Sequence, residues 1–372
     1  MIRINYITNL DVNNYSGGWS GMNHHVYGQL TRCFDVNLIQ NVNPPYFLSE
    51  RVVSKVFRVA GMKGIFPAFT RGRLNKIKEE VERKIDTNGQ LNFYHGSTPW
   101  LHIENKSPYS AYLDCCFSSY IRIYHKQEHF NARQLKELFN KETEFLDNAN
   151  SIFFSSRWAL DDTKNNYNLT GKNFFVAGLG SGLEFDNVSN NRSKPYFLFV
   201  GMDFYGKGGN VVAEAFEIVN KEYPEFKLKI AGQEPPQKYM AFVEYEGVLN
   251  KSDKTQLNKL KTLFAEAYCF VLPTTKDMTP LVLVEAQAAG CPVIATNSFG
   301  IPEIVRNDET GILLNASLPL KEQLVSAMQR MITHKEMYAK FVRNSPAHIS
   351  NNFTWERTGK IIREKIFESS SA

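Results

Sequence analysis

Residues 268–296 read YCFVLPTTKDMTPLVLVEAQAAGCPVIAT, and few folds accommodate that order of events. An apolar run of strand length, YCFVL, is followed by a polar hinge. A nearly uncharged stretch, PLVLVEAQAAG, then leads to a second apolar run, PVIAT. Thr279-Pro280 predicts an N-cap with proline at the first helical position, and Gly290 with Pro292 predicts where the helix must stop. Strand, helix and strand in about thirty residues make a parallel βαβ unit, whose strands are covered on both faces and so carry continuous rather than alternating apolar residues. The helix is apolar nearly all round except for Glu285, which predicts a buried carboxylate in need of a partner. Proline has no N–H, so the amides of Leu281, Val282 and Leu283 form the donor end of the helix, where its dipole favours an anion.

The same rhythm runs through the chain. Strands are expected at 2–8, 34–40, 91–94, 109–113 and 151–155, with helices near 48–60, 70–86 and 128–147. A short strand and glycine-rich connection, FFVAGLGSGL at 174–183, precede a polar segment, EFDNVSNNRSK, that reads as a linker. A second series has strands at 195–201, 226–231, 268–272, 292–296 and 311–314. Its helices are expected near 209–222, 253–267, 280–290 and 318–333. With 372 residues the chain is long for one core. The expectation is α/β: two doubly wound, Rossmann-like domains. Residues 1–175 form the first, completed by an amphipathic C-terminal helix at 353–372, and residues 176–352 form the second.

Charge and cysteine usage narrow the classes. A formal charge of +5 suits capture of a small anion and argues against nucleic acid as the ligand. Five cysteines, with Cys115 and Cys116 adjacent, fit neither a disulfide framework nor a metal-ligand spacing, which predicts a reducing, cytoplasmic setting. The opening MIRINYITNL reads as a strand rather than a signal peptide, and no apolar span is long enough to predict a transmembrane helix. Residues 51–78 carry many Lys and Arg and no Asp or Glu, interleaved with apolar side chains. They read equally as a peripheral contact with an anionic membrane and as a solvated helix pair.

Candidate site residues gather just past strand ends, where open α/β sheets bind ligands. In the first domain these are the glycines of SGGWSG at 16–21, Gly17 and Gly18 among them, which read equally as a plain turn and as a phosphate or sugar contact. His24 and His25, of which one at most faces inward, His95 and Asp114 complete this group, and His125 lies in a polar run. In the second domain the loop MDFYGKGG at 202–209 places Lys207 at a helix N-terminus. The dipole disfavours a cation there unless an anion is shared between lysine and amides. Two anion sites in one domain favour a diphosphate. Walker A, zinc-ligand, dinucleotide and G-x-S-x-G patterns are all missing from the sequence.

The span 195–306 resembles the retaining, GT-B fold glycosyltransferases of family 4, the glycosyl transferases group 1. Their pattern appears here as Val200-Gly201, Lys207-Gly208, Asp277 and Glu285 eight positions apart, then EAQAAGCPVIAT and GIPEIV. The resemblance implies two Rossmann-like domains facing a central cleft. The chain would then be a metal-independent, hexosyltransferase-like enzyme that moves a sugar from a nucleoside-diphosphate sugar to a saccharide or glycoconjugate acceptor. No cofactor is implied beyond the donor itself. By residue, Lys207 would neutralise the diphosphate, and the amides of Thr279, Leu281 and Val282 would hold phosphate and sugar. Glu285 would accept hydrogen bonds from the ribose hydroxyls, and Asp277 would bind hydroxyls of the transferred sugar. Gly201 and its neighbour Met202 would flank the donor, and Val248 and Leu249 would face the nucleobase. His24, His95 and Asp114 are acceptor-side candidates. The chain departs from the pattern twice, with Met202 in place of arginine and Asp277 in place of glutamate. These departures keep a non-catalytic nucleotide-sugar-binding protein in view, alongside a GT-B epimerase or hydrolase.

Overall fold

The computed structural model describes residues 2–14, 21–46, 63–185, 191–193 and 195–370. The chain divides into two compact units. One comprises Met1–Gly178 with Glu356–Ala372, and the other Leu179–Trp355. The helix expected near 48–60 and the glycines Gly17 and Gly18 lie outside the described residues.

The first unit is built on six parallel strands: β1 (Arg3–Ile7), β2 (Asp35–Ile39), β3 (Leu91–His95), β4 (Tyr109–Leu113), β5 (Ser151–Phe154) and β6 (Phe174–Val176). They run in the order β2-β1-β3-β4-β5-β6. Every residue of β3, β4 and β5 is buried, as expected for strands covered on both faces. Helices between them begin at side-chain caps: Thr70 accepts from the Arg73 amide, Asn131 from Arg133 and Gln134, and Ser156 from Ala159. Residues from Glu356 onward pack within this unit. Phe367 stacks on Phe34 with ring centroids 5.6 Å apart, and a Cβ added to Gly359 would lie 2.6 Å from Gln29 Oε1. Within the basic stretch, Arg73 is buried and donates to the carbonyls of Pro44 and Ala68. Arg71 and Lys78 pair with Glu137 and Glu104.

The second unit has its own six parallel strands: β7 (Tyr196–Gly201), β8 (Lys227–Gly232), β9 (Val243–Gly247), β10 (Cys269–Leu272), β11 (Val293–Thr296) and β12 (Gly311–Leu314). Their order is β12-β11-β10-β7-β8-β9. The chain steps outward from β7 to β9, then returns to the other side of β7 to lay down β10, β11 and β12. The order therefore reverses between β7 and β10, and in such sheets ligands bind beyond the carboxyl ends of the strands at that reversal. The fold alone thus singles out the loops after β7 and β10. The first unit reverses in the same way between β1 and β3.

Candidate functional site

The loop after β7 is shaped by its own sequence. Asp203 Oδ1 accepts from the Gly206 amide at 2.8 Å and the Asp203 carbonyl from the Lys207 amide at 3.0 Å. Phe204 is fully buried, and its amide donates to Gln233 Oε1 at 2.7 Å. Gly208 closes the loop with φ of 80° as the N-cap of the helix Gly209–Glu222, and a Cβ there would lie 2.6 Å from the Pro273 carbonyl oxygen. Glycine is required on both counts, the left-handed backbone and the close approach to the end of β10.

That approach brings together two residues seventy positions apart. Lys207 Nζ lies 2.7 Å from Asp277 Oδ2, with side-chain exposures of 28% and 17%. The chain itself thus supplies a negative charge beside Lys207, the Asp277 carboxylate. Without it a lysine at the start of a helix would face the dipole uncompensated.

The helix after β10 runs Leu281–Ala288, with Pro280 in the N-cap position at φ −71° and ψ 106°. This corrects the expected start by one residue: Thr279 is not the cap, and proline precedes the first turn instead of opening it. The Leu283 amide is engaged by the Pro280 carbonyl at 3.0 Å. Helix geometry leaves the amides of Leu281 and Val282 as the donors for an outside acceptor. At the far end Cys291 N donates to Ala286 O and Gly290 N to Gln287 O, with Gly290 at φ 71°, the paired bonds of a Schellman stop.

Glu285 is 2% exposed, and its partner is Lys251, whose Nζ lies 2.5 Å from Oε1. Sequence reasoning required a partner for this carboxylate but did not find the lysine. The only signal is proximity in sequence to Val248 and Leu249, since Lys251 sits in the polar run NKSDK. Val248 is exposed and Leu249 half-buried immediately after β9, while Met202, 65% exposed, is open to solvent just after Gly201. Two carboxylate–ammonium pairs therefore involve the segment from Asp277 to Glu285: Lys207 with Asp277 before the Leu281–Ala288 helix, and Lys251 with Glu285 within it.

The first-unit candidates occupy the carboxyl ends of β1, β3 and β4. His95 is buried, its Nδ1 3.3 Å from the Tyr6 hydroxyl and its ring 6.1 Å from that of Tyr112; burial pulls its pKa down to about 3. The Tyr6 hydroxyl also donates to Asn23 Oδ1 at 2.9 Å. His24 Nδ1 lies 2.8 Å from the Val12 carbonyl oxygen, and its ring meets that of His25 edge-on at 5.1 Å. Asp114 is half-buried just past β4. His125 packs edge-on against Phe66 and Phe130 and belongs to an aromatic cluster. Tyr6 and Asn23, which sequence reasoning passed over, are what hold His95 to the start of the helix Met22–Thr31.

Residues 183–348 match the family model described as glycosyl transferases group 1. An uncharacterized glycosyltransferase of Haemophilus influenzae is 30% identical over 146 residues, which is 38% of this chain and 40% of that protein. The chain thus spans less than half the length of this curated relative. Among solved structures, sucrose-phosphate synthase from Thermosynechococcus elongatus superposes with a TM-score of 0.74 over all of both chains at 15% identity. HepE of Anabaena, solved in complex with UDP and glucose, gives 0.63 over 98% of this chain and 99% of that one, also at 15% identity. At these identities the likeness shows the fold, the two Rossmann-like units of GT-B proteins. Among the described residues no helix is long and apolar enough to cross a membrane.

Proposed function

We propose that the chain, whose residues 183–348 match the family model described as glycosyl transferases group 1, moves a sugar from a nucleoside-diphosphate sugar to an acceptor hydroxyl with retention of anomeric configuration. The observation that carries this reading is the meeting of Lys207 and Asp277 at 2.7 Å, beyond the strand reversal and beside the start of the helix that holds Glu285. A cation, a helix N-terminus and two carboxylates converge where an open sheet presents its ligand.

In this reading Lys207 leaves Asp277 for the diphosphate when the donor arrives, and the amides of Thr279, Leu281 and Val282 share the same charge. Asp277, released from the lysine, accepts hydrogen bonds from hydroxyls of the transferred sugar. Glu285 accepts from the ribose, and Val248 and Leu249 flank the base. The bond from the anomeric carbon to the phosphate oxygen breaks as the acceptor oxygen bonds to that carbon on the same face. The acceptor proton passes to the leaving phosphate, and the nucleoside diphosphate departs with the electron pair. Protein cations and amides aimed at the leaving group stabilise the charge that develops there, so the proposal assigns that task to Lys207 and not to a metal.

The acceptor is proposed to be a saccharide or glycoconjugate, with glycan assembly as the setting and the cytoplasm as the compartment. Arg71, Arg73 and Lys78 are engaged within the chain, so an anionic membrane surface would be met by other cations of 51–78. One observation favours a second reading, donor binding without transfer: Met202 leaves the position of the usual arginine uncharged and open to solvent. A nucleotide-sugar screen that follows both thermal stabilisation and release of nucleoside diphosphate separates the two. Transfer predicts release that depends on acceptor; stabilisation by a donor with no release across a broad acceptor panel supports the second reading.

A further inference from the structure

Glu285 has a cation of its own. Lys207 is engaged with Asp277, and the ammonium that meets Glu285 comes from the far edge of the sheet, on the loop between β9 and the helix Lys254–Glu266. This loop is bonded to itself. Asn250 N donates to Gln256 Oε1 at 2.9 Å, Ser252 N to Asn250 Oδ1 at 2.9 Å, and Gln256 N to Asp253 Oδ1 at 2.9 Å. Lys251 is 19% exposed and reaches out of this turn to Oε1 of the buried carboxylate.

Stability does not explain the pair, because replacing a buried ion pair by well-packed apolar residues is commonly neutral or stabilising. Apart from Gln287, whose Nε2 donates to the Ile304 carbonyl, the rest of the Leu281–Ala288 helix is apolar, so an apolar residue at 285 would suit its surroundings. The pair does two other things. It fixes the orientation of a carboxylate one turn into the helix, and it ties to that helix the loop whose preceding residues are Val248 and Leu249.

We propose that Lys251 is a positioning residue for nucleotide recognition. It holds Glu285 in place for the ribose hydroxyls and, through the same contact, holds the base-facing loop against the ribose site. The inference rests on the ribose role proposed for Glu285. Substitution of Lys251 therefore weakens recognition of the ribose specifically, and not merely the affinity for phosphate.

Calorimetric titration of the full chain with UDP, GDP and ADP identifies the nucleoside diphosphate it binds most tightly, which is then compared with its 2′-deoxy counterpart. Hydrogen bonds to a charged group predict a preference of roughly 10- to 100-fold for the ribonucleotide in the wild type. Lys251→Met is expected to bring that ratio close to one, and Lys251→Arg to retain it. Lys251→Met/Glu285→Gln, which removes both charges and keeps the test available should the single variant fail to fold, is expected to bind no more weakly than Glu285→Gln. An unchanged ratio in Lys251→Met overturns the proposal. So does equal weakening of both nucleotides, the behaviour of a lysine that touches only phosphate. Failure of the ribose reading itself is seen in separate arms: a wild type without ribose preference, or a Glu285→Gln variant that keeps it.

Discussion

Lys207→Met separates the structural from the functional side of the Lys207–Asp277 pair. With exposures of 28% and 17%, the pair lies between two regimes. Exposed ion pairs contribute about 0.2–1 kcal/mol, whereas breaking a buried pair costs about 3–5 kcal/mol. A loss of about 1–2 kcal/mol in the stability of the second unit follows, and Asp277→Asn should lose a similar amount. The double variant should lose less than the sum, because the two groups are in contact. On function the two single variants part. Removing a preorganised cation from a developing anion costs about 100- to 1000-fold in rate, or roughly 2.7–4 kcal/mol, so kcat/KM of Lys207→Met should fall by more than its stability loss explains. Its affinity for nucleoside diphosphate should fall with it. In the proposed exchange Asp277 competes with the diphosphate for Nζ, so Asp277→Asn should bind the same nucleoside diphosphate at least as tightly as the wild type while losing sugar transfer. Calorimetry with the nucleotide and initial rates of its release from the donor read the two effects apart. If Asp277→Asn weakened nucleotide binding as much as Lys207→Met, the exchange of anionic partners at Lys207 would be refuted.

Two further outcomes follow from local geometry. Gly208 and Gly290 share a left-handed backbone, but a Cβ at Gly208 would lie 2.6 Å from a carbonyl oxygen, while at Gly290 its nearest neighbour is 3.4 Å away. Gly290→Ala should cost only the conformational penalty of about 1–2 kcal/mol, and Gly208→Ala distinctly more, with weaker nucleotide binding as Lys207 is displaced; urea unfolding of each variant checks the order. His95, held down to about 3 by burial, makes stability depend on pH. The unfolded chain takes up the proton near the ordinary value, so the contribution is complete above about 6.5 and shrinks by about 1.4 kcal/mol per pH unit below it. It levels off once the folded form also titrates. His95→Gln should flatten that part of the stability profile between pH 6.5 and 4.

The legible parts of the fold were those where burial imposes continuous apolar runs. The strands β7, β10 and β11 read directly because both their faces are covered. The edge strand β9 did not, since VEYEG carries two glutamates that are explained only by cross-strand contact with Lys229 and by Lys259 on the next helix. The helix Lys335–Asn352 was missed for a different reason: it runs through Pro346, which sequence reasoning treats as a boundary. In the site, the need for a partner at Glu285 was legible from the apolar helix around it, whereas its identity was not. Lys251 is thirty-four residues away, and any lysine of the unit satisfies the same requirement on paper. The partner of Lys207 was hidden similarly, because only the strand order places Asp277 beside it.

The central claim, transfer with retention, is tested most directly by proton NMR of a reaction containing the donor nucleotide sugar selected by the binding screen and a responsive acceptor. The account predicts a glycoside whose anomeric configuration matches that of the donor, formed in step with release of nucleoside diphosphate. A product of inverted configuration, or free sugar released at the same rate whether or not acceptor is present, would contradict it.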